Sequence, residues 1–162
     1  MTRLNWIGLT VCAAAVSALA MAQGAGTPAK SAAEAKTAIE ARQKLFKDMK
    51  EAFDPMTAML KRQREFDAAL IATNAASIQA LAQKVPAAHA LNTTQFKDIK
   101  TDALESIWKS QADFKVKSDA LVTASANTAT AAGTGDKGAT LKAVAEMGKA
   151  CGSCHDAYRN KT

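Results

Sequence analysis

The five residues Cys151-Gly152-Ser153-Cys154-His155, close to the C-terminus, restrict this 162-residue chain more than anything else in it. They read as C-x-x-C-H, the attachment signature of c-type haem. On a helix, positions i, i+3 and i+4 share one face, so Cys151, Cys154 and His155 address one partner. Two thiols so placed can bond covalently to the vinyl groups of one haem, and the imidazole beside them can bind its iron. Other uses of the pattern leave part of it idle. A thioredoxin-like C-x-x-C needs a βαβ setting, and no strand pattern surrounds this one. A structural zinc site needs four ligands, whereas the rest of the chain offers only Cys12 and His89. A disulfide between Cys151 and Cys154 would give His155 no task.

Residues 1–22 have the form of an export leader: Arg3, an apolar run from Leu4 to Leu19, and Ala20-Met21-Ala22 as a small-x-small cleavage site before Gln23. The run is too short for stable membrane insertion. Cys12 lies inside it without a lipid-attachment context, so a cleaved chain keeps only the two motif cysteines. Export places the protein in an oxidising compartment. The formal charge of +6 falls to +5 without Arg3. That excess is modest, and its densest cluster, Lys61-Arg62-Gln63-Arg64, has no interleaved aromatics, which argues against nucleic acid. A basic surface that docks an acidic redox partner is compatible with it.

Abundant Ala, three Pro and 5% aromatic residues favour helices. Residues 23–30 read as a flexible lead-in, with Thr27-Pro28 as N-cap and first helical position. The first helix is predicted from Pro28 to Lys61, with an inward seam of Ile39, Arg42, Phe46, Met49, Phe53, Met56 and Leu60. A flanking row, Ala38, Leu45, Ala52 and Met59, widens it. Pro55 predicts a kink or break, with Asp54 capping a restart. Asp67 caps a second helix to Lys84. Pro86 to Lys100 reads as irregular; its His89 is a candidate second iron ligand, against the commoner case of a solvated loop histidine. Asp102 opens a third helix to Thr128, Ala129 to Gly135 form a link, and Asp136 or Thr140 starts a fourth helix to Asn160. Gly148, one turn before Cys151, would let a haem plane approach the backbone. Four helices joined this way make an all-α, antiparallel four-helix bundle over residues 31–162.

One seam residue is unsuited to a plain core. A guanidinium on the buried stripe, Arg42, needs an anion, and a haem propionate would supply one. The plainer alternatives are snorkelling to solvent or pairing with an internal Glu.

Taken together, the sequence resembles the cytochrome c-prime family, the class II cytochromes c. The matching features are the late C-x-x-C-H followed by Asp156-Ala157-Tyr158-Arg159, and the pair Arg42-Gln43 in the first helix. Phe66-Asp67-Ala68-Ala69 and Asp102 six residues before Trp108 match as well. The resemblance implies a periplasmic four-helix bundle with one covalent haem c, dimeric through its first two helices. It places Arg42, Gln43, Asp102, Cys151, Cys154 and His155 at haem contacts, with His155 the axial ligand and Tyr158 nearby. It sets Phe46 over the open side of the haem, where electron-carrying relatives have a ligating Met, and makes Met49 a packing residue of that side.

Phe cannot ligate iron, so the expected protein has five-coordinate iron. It binds nitric oxide or carbon monoxide, transfers electrons, or does both. The alternative is a low-spin, six-coordinate electron carrier with Met49 or His89 as second axial ligand. An enzyme is not expected, because the distal seam offers Phe46 and Met49 but no acid–base group.

Overall fold

The computed structural model describes residues 26–161, so the leader and the cleavage site lie outside the described residues. The elements are β1 (Thr27–Pro28), α1 (Ala32–Leu60), α2 (Ala68–Ala82), α3 (Val85–Ala88), β2 (Leu91–Asn92), α4 (Ser106–Lys109), α5 (Gln111–Gly133) and α6 (Lys137–Tyr158). The long helices α1, α2, α5 and α6 form the four-helix bundle. Each packs on the next, and α1 meets α6 to close the ring. No described helix is long and apolar enough to cross a membrane.

Local sequence accounts for most boundaries. Ser31 caps α1 by accepting from the Glu34 backbone N–H at 3.2 Å, and the Glu34 carboxylate accepts from the Lys30 N–H at 2.6 Å. This Ser-x-x-Glu signal, not Thr27-Pro28, starts the helix. Residues 27–28 instead pair in parallel with 91–92, tying down the stretch expected to be a flexible lead-in. Gly26 begins this strap with φ +54, and a Cβ there would lie 2.6 Å from the Trp108 ring. Asp67 and Asp136 cap α2 and α6 as their positions suggest.

Four expectations about elements are corrected. Helix α1 runs unbroken through Pro55, and Asp54 pairs with Lys50 at 2.6 Å rather than capping a restart. Asp102 opens no helix: its segment bridges the end of α6 through Ala103 and Arg159, α4 is a single turn, and α5 starts only at Gln111. Residues 129–133 continue α5, since their alanines favour helix more than a link. Helix α2 stops at Ala82, and part of the stretch read as irregular forms α3 and β2.

The core falls into two clusters. Met56, Met59, Ile71, Ile78, Ala132, Val144 and Met147 fill the end of the bundle away from the motif. Leu45, Met49, Ala82, Val85, Ile107, Trp108, Phe114 and Tyr158 fill the motif end, and Cys154 packs against them. The buried stripe of α1 passes through Ile39, Arg42, Leu45, Met49, Met56 and Met59. Phe46 and Leu60, expected inside the seam, each stand 37% exposed at its edge.

Candidate functional site

Helix α6 carries Cys151, Cys154 and His155 over its last two turns. Both cysteines are free and half-buried, and His155 is exposed. Burial pushes both thiols above the usual range; the neighbouring Cys154 adds to the effect at Cys151, and Lys117 partly offsets it at Cys154. Burial and then Arg159 lower the pKa of His155. Among the described residues, no group of three His, Cys, Asp or Glu is arranged to hold a bare metal ion.

The surroundings fit a haem. Cys154 packs against the cluster that includes Leu45, Met49, Phe114 and Tyr158. A half-exposed phenyl ring, Phe46, lies on the same helix as Met49, ready to be covered by an apolar plate. Tyr158 donates its hydroxyl hydrogen to Asp113 at 2.6 Å and sets its ring edge-on to Phe114 at 5.2 Å. Burial first, and then Asp113, push its pKa up to about 12. Gln43 reaches the Lys100 carbonyl at 3.5 Å. Asp102 pairs with Arg159 at 3.3 Å, and its carbonyl accepts from the Asn160 N–H at 2.7 Å. Asp102 thus fixes the end of the helix that carries His155. A Cβ at Gly148 would lie 3.4 Å from the Phe53 ring, an ordinary packing distance.

Arg42 is buried, 3% exposed, as its place on the stripe requires, and two loop carbonyls and a hydroxyl take up part of its hydrogen-bonding capacity. Its Nε donates to the Ala88 carbonyl at 2.7 Å, one Nη to the Leu91 carbonyl at 2.5 Å and the other to the Thr93 hydroxyl at 3.1 Å. The guanidinium also sits 5.3 Å from the centre of the Trp108 ring. Desolvation lowers its pKa to about 10, so it stays charged at neutral pH. Backbone oxygens of a tight loop can satisfy a buried Arg as an anion does, and sequence spacing does not reveal such a loop.

His89 reverses its expectation. It is 4% exposed, not solvated. Its ring lies 4.9 Å from Phe114, 6.0 Å from Phe46 and 6.5 Å from Trp108, centre to centre. Nδ1 is 2.9 Å from the Val85 carbonyl, which can only accept, so Nδ1 carries the hydrogen and Nε2 a lone pair. Burial, with a smaller push from Arg42, lowers its pKa to about 4, against the Val85 hydrogen bond. The His89 carbonyl accepts from the Trp108 indole N–H at 2.8 Å. The only sequence signal for this was Pro86, which begins a helical turn and lets His89 bond back four residues.

The chain matches the family Cytochrome C' over residues 37–159. It is 34% identical over 144 residues to a cytochrome c' of Cereibacter sphaeroides, covering 88% of this chain and 96% of that one. Among solved structures it resembles cytochrome c' from Rhodobacter sphaeroides, with TM-score 0.72, 32% identity and coverage of 79% and 98%. It also resembles the nitric oxide complex of a mutant cytochrome c prime from Alcaligenes xylosoxidans, with TM-score 0.69, 32% identity and coverage of 79% and 97%.

Proposed function

Because the chain belongs to the cytochrome c-prime family, whose members are haem proteins, we propose that it is a periplasmic cytochrome with one covalent haem c and five-coordinate iron, which binds nitric oxide or carbon monoxide and exchanges electrons. When bound, the haem supplies an iron that changes oxidation state and accepts diatomic ligands. Cys151 and Cys154 would hold it through two thioethers, and His155 would supply the axial nitrogen. Met49, Leu45 and Phe114 exclude water from the face they line. Asp102, through Arg159, keeps the end of α6 in place. Gln43 stands at the edge of the site, and Arg42 organises the loop over it with three of its five N–H groups, so two remain for a propionate.

The observation that carries the reading is Phe46. It is the large exposed apolar side chain of α1 beside the motif-end cluster, and it offers iron no lone pair. Met49, the nearest thioether, is 7% exposed and engaged in the core. The nitric oxide complex of a relative supports the gas-binding part. We assign no enzymatic turnover, in keeping with relatives that are named as cytochromes. We also propose a homodimer through α1 and α2. It is supported by α2, which carries no charged residue and exposes Ala69, Thr73, Ala76, Ser77 and Ala80.

A second reading, the six-coordinate electron carrier, is favoured by the free lone pair of His89 Nε2. Optical spectra of the purified protein decide between the two: high-spin ferrous haem supports the first, and low-spin ferrous haem overturns it. Covalent attachment predicts pigment retained through acidified organic extraction and the mass of one haem on a chain beginning at Gln23. Loss of colour into the solvent would remove the c-type assignment.

A further inference from the structure

We propose that His89 gates the path by which small neutral gases reach the Phe46 side of the haem, and that the cavity outside it is their antechamber. The proposal rests on the five-coordinate reading above and adds the route and its selectivity.

The cavity measures about 420 Å³ and is lined by Pro86, His89, Ile107, Gln111, Ala112, Phe114 and Lys115. Phe46 does not line it, but His89, which does, also packs against Phe46, with ring centres 6.0 Å apart. His89 therefore stands between the cavity and the residue over the open haem face. The exposed side of Phe46 is the side a haem would cover, which leaves the His89 side as the remaining approach. Among the described residues Nε2 has no hydrogen-bond partner, and no sealed side-chain nitrogen or oxygen lacks one. In this proposal Nε2 faces the cavity.

The backbone of the gate is fixed. Trp108 holds the His89 carbonyl, and Arg42 holds the carbonyls of Ala88 and Leu91 on either side. The β1–β2 pairing then ties Leu91 to the strap that begins at Gly26. Only the ring is left to move, and its one latch is the Nδ1–H to the Val85 carbonyl at 2.9 Å. The chemistry suits neutral diatomics. The polar atom that the gate presents is a lone pair, which repels anions such as cyanide or nitrite, while Lys115 at the rim is paired with Asp119 at 2.5 Å. Nitric oxide and carbon monoxide give up little hydration on entering an apolar passage, so the gate admits them.

A gate changes the rates of entry and exit by the same factor and leaves the equilibrium unchanged, whereas a group that touches the bound ligand changes the equilibrium. The test is carbon monoxide binding to the haem-loaded protein, with on- and off-rates from stopped flow and flash photolysis. His89→Ala is expected to raise both rates by about tenfold, with Kd constant within about twofold. Ala112→Trp, at an exposed position that tolerates bulk, fills the cavity and is expected to lower both by about threefold. Xenon-pressurised crystals of the haem-loaded protein should show xenon in the wild-type cavity and none in Ala112→Trp. A change in Kd carried by one rate alone overturns the gate, and so do rates indifferent to both substitutions; the five-coordinate reading survives either result. A wild type that is low-spin and takes no carbon monoxide removes that reading, and the gate with it.

Discussion

The buried imidazole of His89 makes the stability of the haem-loaded protein depend on pH in a defined window. The folded chain holds His89 at a pKa of about 4, below the ordinary 6.5. The unfolded chain takes the proton first as pH falls, so stability is complete above pH 6.5 and is lost between 6.5 and about 4. One pKa unit corresponds to about 1.4 kcal/mol, so the full difference is worth about 3 kcal/mol and the part lost by pH 5 is about 2 kcal/mol. The reference is His89→Asn, whose side-chain amide can still donate to the Val85 carbonyl but cannot titrate. Asn loses the ring contacts with Phe46 and Phe114, which lowers stability equally at every pH. Urea unfolding at pH 7 and pH 5 gives the double difference, and carboxylates and His155 cancel because both proteins carry them. The wild type should lose about 2 kcal/mol more than the variant, close to 1 M in urea midpoint. Equal losses in the two proteins would show that His89 is not held neutral by burial, and the account of the lone pair on Nε2 would fall.

Phe46→Ala should speed carbon monoxide binding by at least about tenfold, equivalent to 1.4 kcal/mol of barrier, measured by stopped flow. Phe46→Met should give a low-spin, six-coordinate spectrum, and a high-spin spectrum there would place Phe46 away from the iron. Arg42→Leu leaves the oxygens of Ala88, Leu91 and Thr93 without their donor. It should cost about 3 kcal/mol or more in urea unfolding, with a lower reduction potential in voltammetry because a cation near the iron is gone. Unchanged stability would mean the loop holds without it. Gly26→Ala places a Cβ against Trp108 at a left-handed φ and should lower stability by about 1–3 kcal/mol, with faster amide exchange at Ala29, whose N–H bonds to the Asn92 carbonyl.

Much of this protein was readable from local sequence. C-x-x-C-H on a helix states its partner through spacing alone, because the period of the helix sets which side chains face together. Asp67 and Asp136 cap their helices because a short carboxylate bonds the next turn in any context. The four amphipathic stretches imply a bundle because each must bury one face. What sequence could not supply is where distant segments meet. Arg42 is on the buried stripe in either description, but that its partners are two carbonyls and a hydroxyl 46 to 51 residues away follows only from how residues 88–93 fold back over α1. His89 looked like a solvated loop residue because a lone histidine in an irregular stretch commonly is one. Phe46, Phe114 and Trp108 bury it from three different elements. Asp102 had the form of a helix cap and became a tie to the end of α6, because pairing with Arg159 and Asn160 competes with starting a helix. Local rules fix helices, caps and the haem motif through contacts within four residues. The lining of the distal side depends on packing between elements far apart in the chain, and only the tertiary structure decides it.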